Sequence, residues 1–350
     1  MKIDKVDAEI LNELAKNPRN ISTVARNLGL PTETVRYRVK RLLSQGVIKL
    51  FGVPNHLKLG LDLFRLILRA KFDKELEKEL DNHPYVSYVA RCYGCINGYI
   101  VNLLVPRGHD YYVEEYLEKL RSYYPISDII ALKSLPTHYQ LPNFHRYYNF
   151  VTNTWDYSWK LSPSYIRNIE VRVALPQQVL LDHVDIAIIQ ELQVDATVSL
   201  TSLASKLGLS VASLRYHFVN HVIDRNLVNY AVGYMPYPGL PLSLLIITFS
   251  KPNYTYGLYE LLRGLPPIVG MALTTDISRL VALIQAPLDR KIGLYEALKY
   301  LMDDDIIKDY FEVIIDRKYV RKYTIPDAKY YKAGKWILIS EAVKVAKARI

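Results

Sequence analysis

The run TVRYRVKR places Arg36, Tyr37, Lys40 and Arg41 within six consecutive residues, with Thr34 just ahead of them. These types suit a polyanion. A guanidinium can bond a guanine edge in bidentate fashion, Thr and Tyr hydroxyls can meet a base edge or a phosphate, and lysine and arginine suit phosphate oxygens. Two other sets could also do chemistry. His217 and His221 stand one helical turn apart, the spacing of two metal ligands, and Cys92 and Cys95 form a CxxC. The histidine pair lacks a third ligand nearby in the chain and reads as surface or capping residues. The cysteines fall in the hairpin-like run CYGCINGYI instead of at a helix N-terminus, which favours a structural role over a redox pair or a zinc site that would need more ligands. The chain shows no Walker loop, no HExxH and no nucleophile elbow, so no catalytic residue, metal or cofactor is expected.

The basic run must sit on a helix. Val35, Val39 and Leu42 recur at i, i+4 and i+7, a stripe that faces a core over a helix from about Thr32 to Gln45. At about 100° per residue, Glu33, Tyr37, Lys40 and Arg41 then point outward, with Thr34 and Arg36 at the edge. Two earlier helices are predicted, one around Ile10, Leu11 and Leu14 and one over Val24 to Leu28, with Gly29 as the turn between helices two and three. Gly46 ends helix three, and VIKLFGV at 47–53 reads as a β-ribbon wing from which Lys49 could reach flanking backbone. Three helices, a glycine turn and a wing make a winged helix-turn-helix.

This unit recurs about 179 residues later. VARNLGLPTETVRYRV at 24–39 aligns with LASKLGLSVASLRYHF at 203–218, and Val6, Asp7, Ile10 and Leu14 match Val184, Asp185, Ile188 and Leu192. Each winged helix is followed by strand, helix, two strands, helix and strand, the βαββαβ order of a ferredoxin-like fold. The expected fold class is therefore α+β, a tandem duplication with six segments: a DNA-binding winged helix-turn-helix over 1–60, an αβ domain over 61–136, an aromatic-rich connector over 137–181, a second, degenerate winged helix over 182–235, a second αβ domain over 236–316, and a basic tail over 317–350.

At 350 residues, 50% hydrophobic and 23% charged, the composition is that of an ordinary folded protein, and two cysteines exclude a disulfide framework. The first residues lack a signal-peptide run and no stretch reaches a membrane span of about 18 apolar residues, so a cytoplasmic location without membrane contact is expected. The net charge of +10 is unevenly spread. Residues 1–60 hold 11 Lys/Arg against 5 Asp/Glu, 61–316 hold 24 against 28, and 317–350 hold 10 against 2. By contrast, 182–230 hold 3 against 5, and the outward face of that second recognition helix offers Ala212, Tyr216, Val219, Asn220 and Ile223, with Arg215 its one certain cation. Phosphate binding is thus expected of the first copy, and packing or dimerisation of the second.

The run KVDAEILNELAKNPRNISTVARNLGLPTETVRYRVKRLLSQGVIKLFGV resembles the DNA-binding domain of the feast/famine (Lrp/AsnC) transcription regulators, and the βαββαβ domain resembles their effector-binding and dimerisation domain. The resemblance implies a regulator that binds double-stranded DNA as a dimer or higher oligomer and is often tuned by a small-molecule effector. With the helix geometry above, the expected DNA-binding residues are Thr34, Arg36, Tyr37, Lys40, Arg41 and Lys49, and the expected assembly is a homodimer. The family's effector loop usually reads Thr-Gly and then Asp. Here the first copy has glycines at 94 and 98 without the Asp, and the second keeps Asp276 without a glycine, so the effector-binding residues stay unassigned. Two other readings use the same domains. Siroheme decarboxylases reuse this domain pair, for which His138, His145 and Arg146 would be the tetrapyrrole-facing candidates. A factor of the transcription machinery would instead make no base contact. The connector is expected to lie across the αβ domains in preference to stacking on unpaired bases. For the tail two readings stay open, added phosphate contacts or a solvated extension packed through Trp336 and Ile337, ending in a short helix-like run.

Overall fold

The computed structural model describes residues 3–169 and 175–338. The helix-like run at the end of the tail lies outside the described residues. Helix α1 (Lys5–Lys16) starts where Asp4 and Asp7 form a reciprocal capping box, each carboxylate accepting the other's backbone N–H. Asn20 caps α2 (Ile21–Leu28), and Gly29 closes it at φ +64°, a left-handed conformation that few other residues adopt cheaply. Helix α3 (Thr32–Ser44) buries Val35, Val39 and Leu42, as their spacing predicts. Strand β1 is Ile48–Pro54.

The first αβ domain follows as β2 (Leu61–Ala70), α4 (Lys74–Asn82), β3 (Val86–Gly94), β4 (Gly98–Pro106), α5 (Asp110–Tyr123) and β5 (Ile126–Ser134). The connector supplies β6 (His138–Tyr139), α6 (Phe144–Tyr147), the small ribbon of β7 (Tyr148–Asn149) and β8 (Thr154–Trp155), and α7 (Pro163–Arg167). The second copy repeats the order with α8 (His183–Val194), α9 (Leu200–Leu207), α10 (Val211–Tyr216), β9 (Val228–Tyr234), β10 (Ser243–Phe249), α11 (Tyr254–Leu262), β11 (Ile268–Leu273), β12 (Arg279–Ile284), α12 (Leu288–Asp303) and β13 (Ile307–Lys322). The ribbon of β14 (Tyr331–Lys332) and β15 (Lys335–Trp336) follows. The predicted α+β duplication is what the chain adopts. One departure is local: α10 runs on into a π-helical turn at His217–Ile223, where the first copy keeps a regular α-helix.

The chain folds into two compact units that cut across the two copies. One holds the described residues of 1–51, 137–172 and 230–312, that is, the first winged helix, the connector and most of the second αβ domain. Its strands run β13-β10-β12-β11-β6, with β6 added at the edge of β11. The described part of the connector in this unit is held at several points. Asn143 N–H donates to Gly264 O, Trp155 Nε1 to Pro236 O and Trp159 Nε1 to Arg290 O, and Phe144 packs between Trp155 and Tyr234. Phe51 meets Tyr139 edge-on at 5.0 Å.

The other unit holds the described residues of 52–136, 173–229 and 313–350, that is, the first αβ domain with the second winged helix and the chain's last part. Its strands run β5-β2-β4-β3-β13, with Val313–Lys322 of β13 beside β3. Leu66, Leu68, Leu104 and Val105 share one core with Ile186, Ile189, Leu192, Phe218 and Val222 of the second winged helix. Tyr331 and Trp336 belong to that core too, and Trp336 Nε1 donates to Leu59 O at 2.7 Å. Residues 317–322 therefore continue a sheet strand, and the ribbon after them is part of a core.

The predicted wing also differs from expectation. β1 does not fold back as a hairpin of its own copy but pairs with β9, the equivalent strand of the other copy. Gly233 lies against Phe51 and Lys49, and Gly52 lies against Val228 and Leu192. A Cβ at Gly52 would come within 2.7 Å of Val228, so this close pairing depends on the missing side chain.

Candidate nucleic-acid interface

Helix α3 is the element that presents the basic run. Glu33, Thr34, Arg36, Tyr37 and Lys40 are all exposed, with Tyr37 at 69%. Arg36 pairs with Glu33 one turn away, a surface contact that water and salt weaken. Lys49 of β1 is exposed as well. Five of the six residues expected to meet DNA therefore stand on solvent-facing backbone of one winged helix.

Arg41 is the exception and a correction. Its Nη2 lies 2.6 Å from Asp7 Oδ2, and the side chain is only 31% exposed. Arg38, absent from the expected set, makes the companion bonds, 2.6 Å to Asp4 and 2.8 Å to Asp7. Asp7 is buried and needs compensating charge, so two guanidiniums close over it and tie α3 to the start of α1. Helical periodicity places Arg41 outward, but it cannot register a buried acid on another helix. The usable signal was Asp7 itself, an acidic residue set between the apolar Val6 and Ala8 on the face that also carries Ile10, Leu11 and Leu14.

The second copy presents a different face. Ala212, Arg215, Tyr216, Val219 and Asn220 are exposed, with Leu214 and Phe218 buried as expected. Ile223 is not outward: it is half-buried and packs on the core, because the π-helical turn rotates it inward. Beneath this face the acid pair recurs as Asp182 and Asp185, again a capping box, but His217 and His221 stand where the first copy has Arg38 and Arg41.

The candidate effector loops are occupied by their own backbone. Cys92 is buried with Sγ 3.7 Å from Ile96 O, and burial pushes its thiol up to about 12, so it stays protonated at neutral pH and is a poor nucleophile or ligand. Cys95 is exposed, and its carbonyl accepts from Arg69. Gly98 lets β4 pass so close to β2 that a Cβ would sit 1.9 Å from Leu68 O. Asp276 is spent on its own turn, accepting from Ser278 Oγ at 2.7 Å. Of the connector residues, His138, His145 and Arg146 are exposed, and Arg146 lies over the Tyr147 ring.

Both helix-turn-helix segments match known families. Residues 3–49 match the winged helix-turn-helix DNA-binding family, and residues 181–216 match the AsnC-type helix-turn-helix domain. The chain is Lrp/AsnC-like. An uncharacterized HTH-type transcriptional regulator of Pyrococcus horikoshii is 47% identical over 68 residues, 19% of this chain and 45% of that protein. Another from Pyrococcus furiosus is 44% identical over the same length. The chain thus spans less than half the length of these two relatives. Over nearly its whole length it shares a fold with the siroheme decarboxylase NirDL, at a TM-score of 0.55 and 13% identity, covering 97% of this chain and 99% of that one. No helix among the described residues is long and apolar enough to cross a membrane.

Proposed function

We propose that this Lrp/AsnC-like chain is a DNA-binding transcription regulator whose first winged helix reads the major groove of double-stranded DNA. The observation that carries this reading is the exposed face of α3, where Thr34, Arg36, Tyr37 and Lys40 are free of the core while Arg38 and Arg41 fasten the helix behind them. Arg36 takes a guanine edge, Thr34 and Tyr37 contact a base edge or a phosphate, and Lys40 and Lys49 grip the backbone. The second winged helix serves assembly: its exposed face carries Val219 where the first copy has Lys40, and its acid balance repels phosphate. Two chains pair so that two competent winged helices meet a palindromic site. The location is cytoplasmic, and a small-molecule effector would bind elsewhere than the family's usual loop.

The test is binding of the full chain to its own promoter region by fluorescence anisotropy. Arg36→Ala with Lys40→Ala is expected to abolish the preference for promoter over random DNA, while Arg41 is left intact because it holds the fold. Unchanged affinity in that variant would sink the reading.

A second reading is an enzyme acting on a tetrapyrrole, favoured by the whole-chain likeness in fold to NirDL. It predicts that the purified chain, mixed with an iron tetrapyrrole, develops bound-state absorbance that is lost on changing His145 and Arg146 to Ala. Absence of such absorbance disposes of it.

A further inference from the structure

Two copies of one capping box carry different counter-charges. In the first, Asp4 and Asp7 face Arg38 and Arg41, two permanent cations. In the second, Asp182 and Asp185 face His217 and His221, whose imidazoles are neutral donors and acceptors unless protonated. Removing two guanidiniums from above a buried carboxylate leaves a negative charge in need of a partner. We propose that this partner is a divalent transition-metal ion, zinc foremost, held by Asp182, Asp185, His217 and His221.

The ligating atoms of these four residues all lie within 4.8 Å of one another. His217 Nδ1 is 3.2 Å from Asp182 Oδ2 and 3.1 Å from Asp185 Oδ1. His221 Nδ1 is 3.8 Å and 3.1 Å from the same two oxygens. Zinc bonds of about 2.0–2.1 Å to nitrogen and oxygen give a tetrahedron with edges of about 3.3 Å, so these separations are already close to those of a filled site.

The carboxylates divide their labour. Asp182 Oδ1 accepts from the Asp185 backbone and Asp185 Oδ2 from the Asp182 backbone, which caps α8. The remaining oxygens, Asp182 Oδ2 and Asp185 Oδ1, turn to the imidazoles. Both rings direct Nδ1 at Asp185 Oδ1, and their centroids are 4.8 Å apart. The π-helical turn starts at His217, and its extra residue per turn carries His221 over the same acid pair that Arg41 reaches from a regular helix. Asp185 is 1% exposed and the imidazoles 18–19%, so the ion would be largely shielded yet reachable from Asp182. Two imidazoles with two carboxylates suit zinc, cobalt or nickel better than calcium or magnesium, which prefer all-oxygen shells. Bound there, the ion would clasp the recognition-helix equivalent to α8, doing in the second copy what Arg38 and Arg41 do in the first.

The test uses the full chain, stripped with a chelator, desalted at pH 7.5 and titrated with cobalt(II) followed optically and with zinc by calorimetry. One ion per chain, a tetrahedral cobalt spectrum and a zinc-dependent rise in Tm are expected. His217→Arg with His221→Arg rebuilds the counter-charges of the first copy, and this variant is expected to fold and to bind zinc at least tenfold more weakly. Should it fail to fold, Asp182→Asn keeps a capping side chain and is expected to lose affinity by the same margin. No uptake by the unsubstituted chain, or uptake unchanged in a folded variant, overturns the proposal and leaves the histidine pair as hydrogen-bond partners of Asp185.

Discussion

The two helix-turn-helix segments start from the same scaffold and have diverged at one layer of side chains. Each opens with an aspartate capping box, turns at a glycine in the left-handed conformation, and buries one stripe of its third helix. In the first, arginines fill the layer behind the third helix and leave an exposed cationic face in front. In the second, histidines fill that layer, the helix takes a π turn, and the front carries one cation, Arg215, among small, apolar and amide side chains. A duplicated fold can therefore keep its framework while the exposed faces of its copies diverge, because the capping and packing residues are not the ones that face solvent.

The largest effect should come from the acid pair itself. Asp7→Ala removes the N3 half of the capping box and two charge-assisted bonds, and an expected loss of about 2–3 kcal/mol should appear in denaturant unfolding. Asp185→Ala in the metal-free chain should cost less, since its partners are imidazoles, and an equal loss would erase the distinction between the copies. Arg36→Ala is expected to weaken promoter binding by about 5- to 150-fold, corresponding to about 1–3 kcal/mol. Lys40→Ala should weaken binding to all sequences alike and lower the salt slope by about 1. Arg215→Ala should change DNA affinity by less than about twofold if the second winged helix makes no phosphate contact. A loss matching that of Arg36 would show that both copies read DNA.

The two compact units can be compared through pH. In the unit that holds the second winged helix, His83 is buried, accepts from Tyr85 N–H at Nδ1 and lies 3.1 Å from the Tyr112 hydroxyl at Nε2. Burial, aided by Lys119, pushes it down to about 4, below the usual value near 6.5. The unfolded chain then binds the proton more tightly, so stability is full above pH 6.5 and falls as pH drops toward 4. Thermal melts between pH 7 and 4.5 should show that decline, and His83→Gln should reduce it, the remainder coming from His56, which burial also pushes down to about 4.

Much of this molecule was legible from local patterns. The Val35, Val39, Leu42 stripe located α3 and its exposed face, and the 179-residue recurrence with two βαββαβ orders announced the duplicated α+β fold. These features follow from periodicity and turn chemistry, which act over a few residues. What the sequence did not reveal depends on partners far along the chain. That β1 pairs with β9, that each winged helix shares a compact unit with the other copy's αβ domain, and that the tail's Trp336 completes a core are choices among equivalent apolar faces. Both copies offer such faces, and only long-range packing selects between them. The same holds for charge: Arg41 reads as a phosphate ligand and His217 with His221 as surface residues until the fold brings a buried aspartate beneath each. Sequence by itself determined which elements form and which way most of their side chains point. Tertiary structure decided which charges were already spent, because the cost of burying an unpaired carboxylate is set by everything that surrounds it.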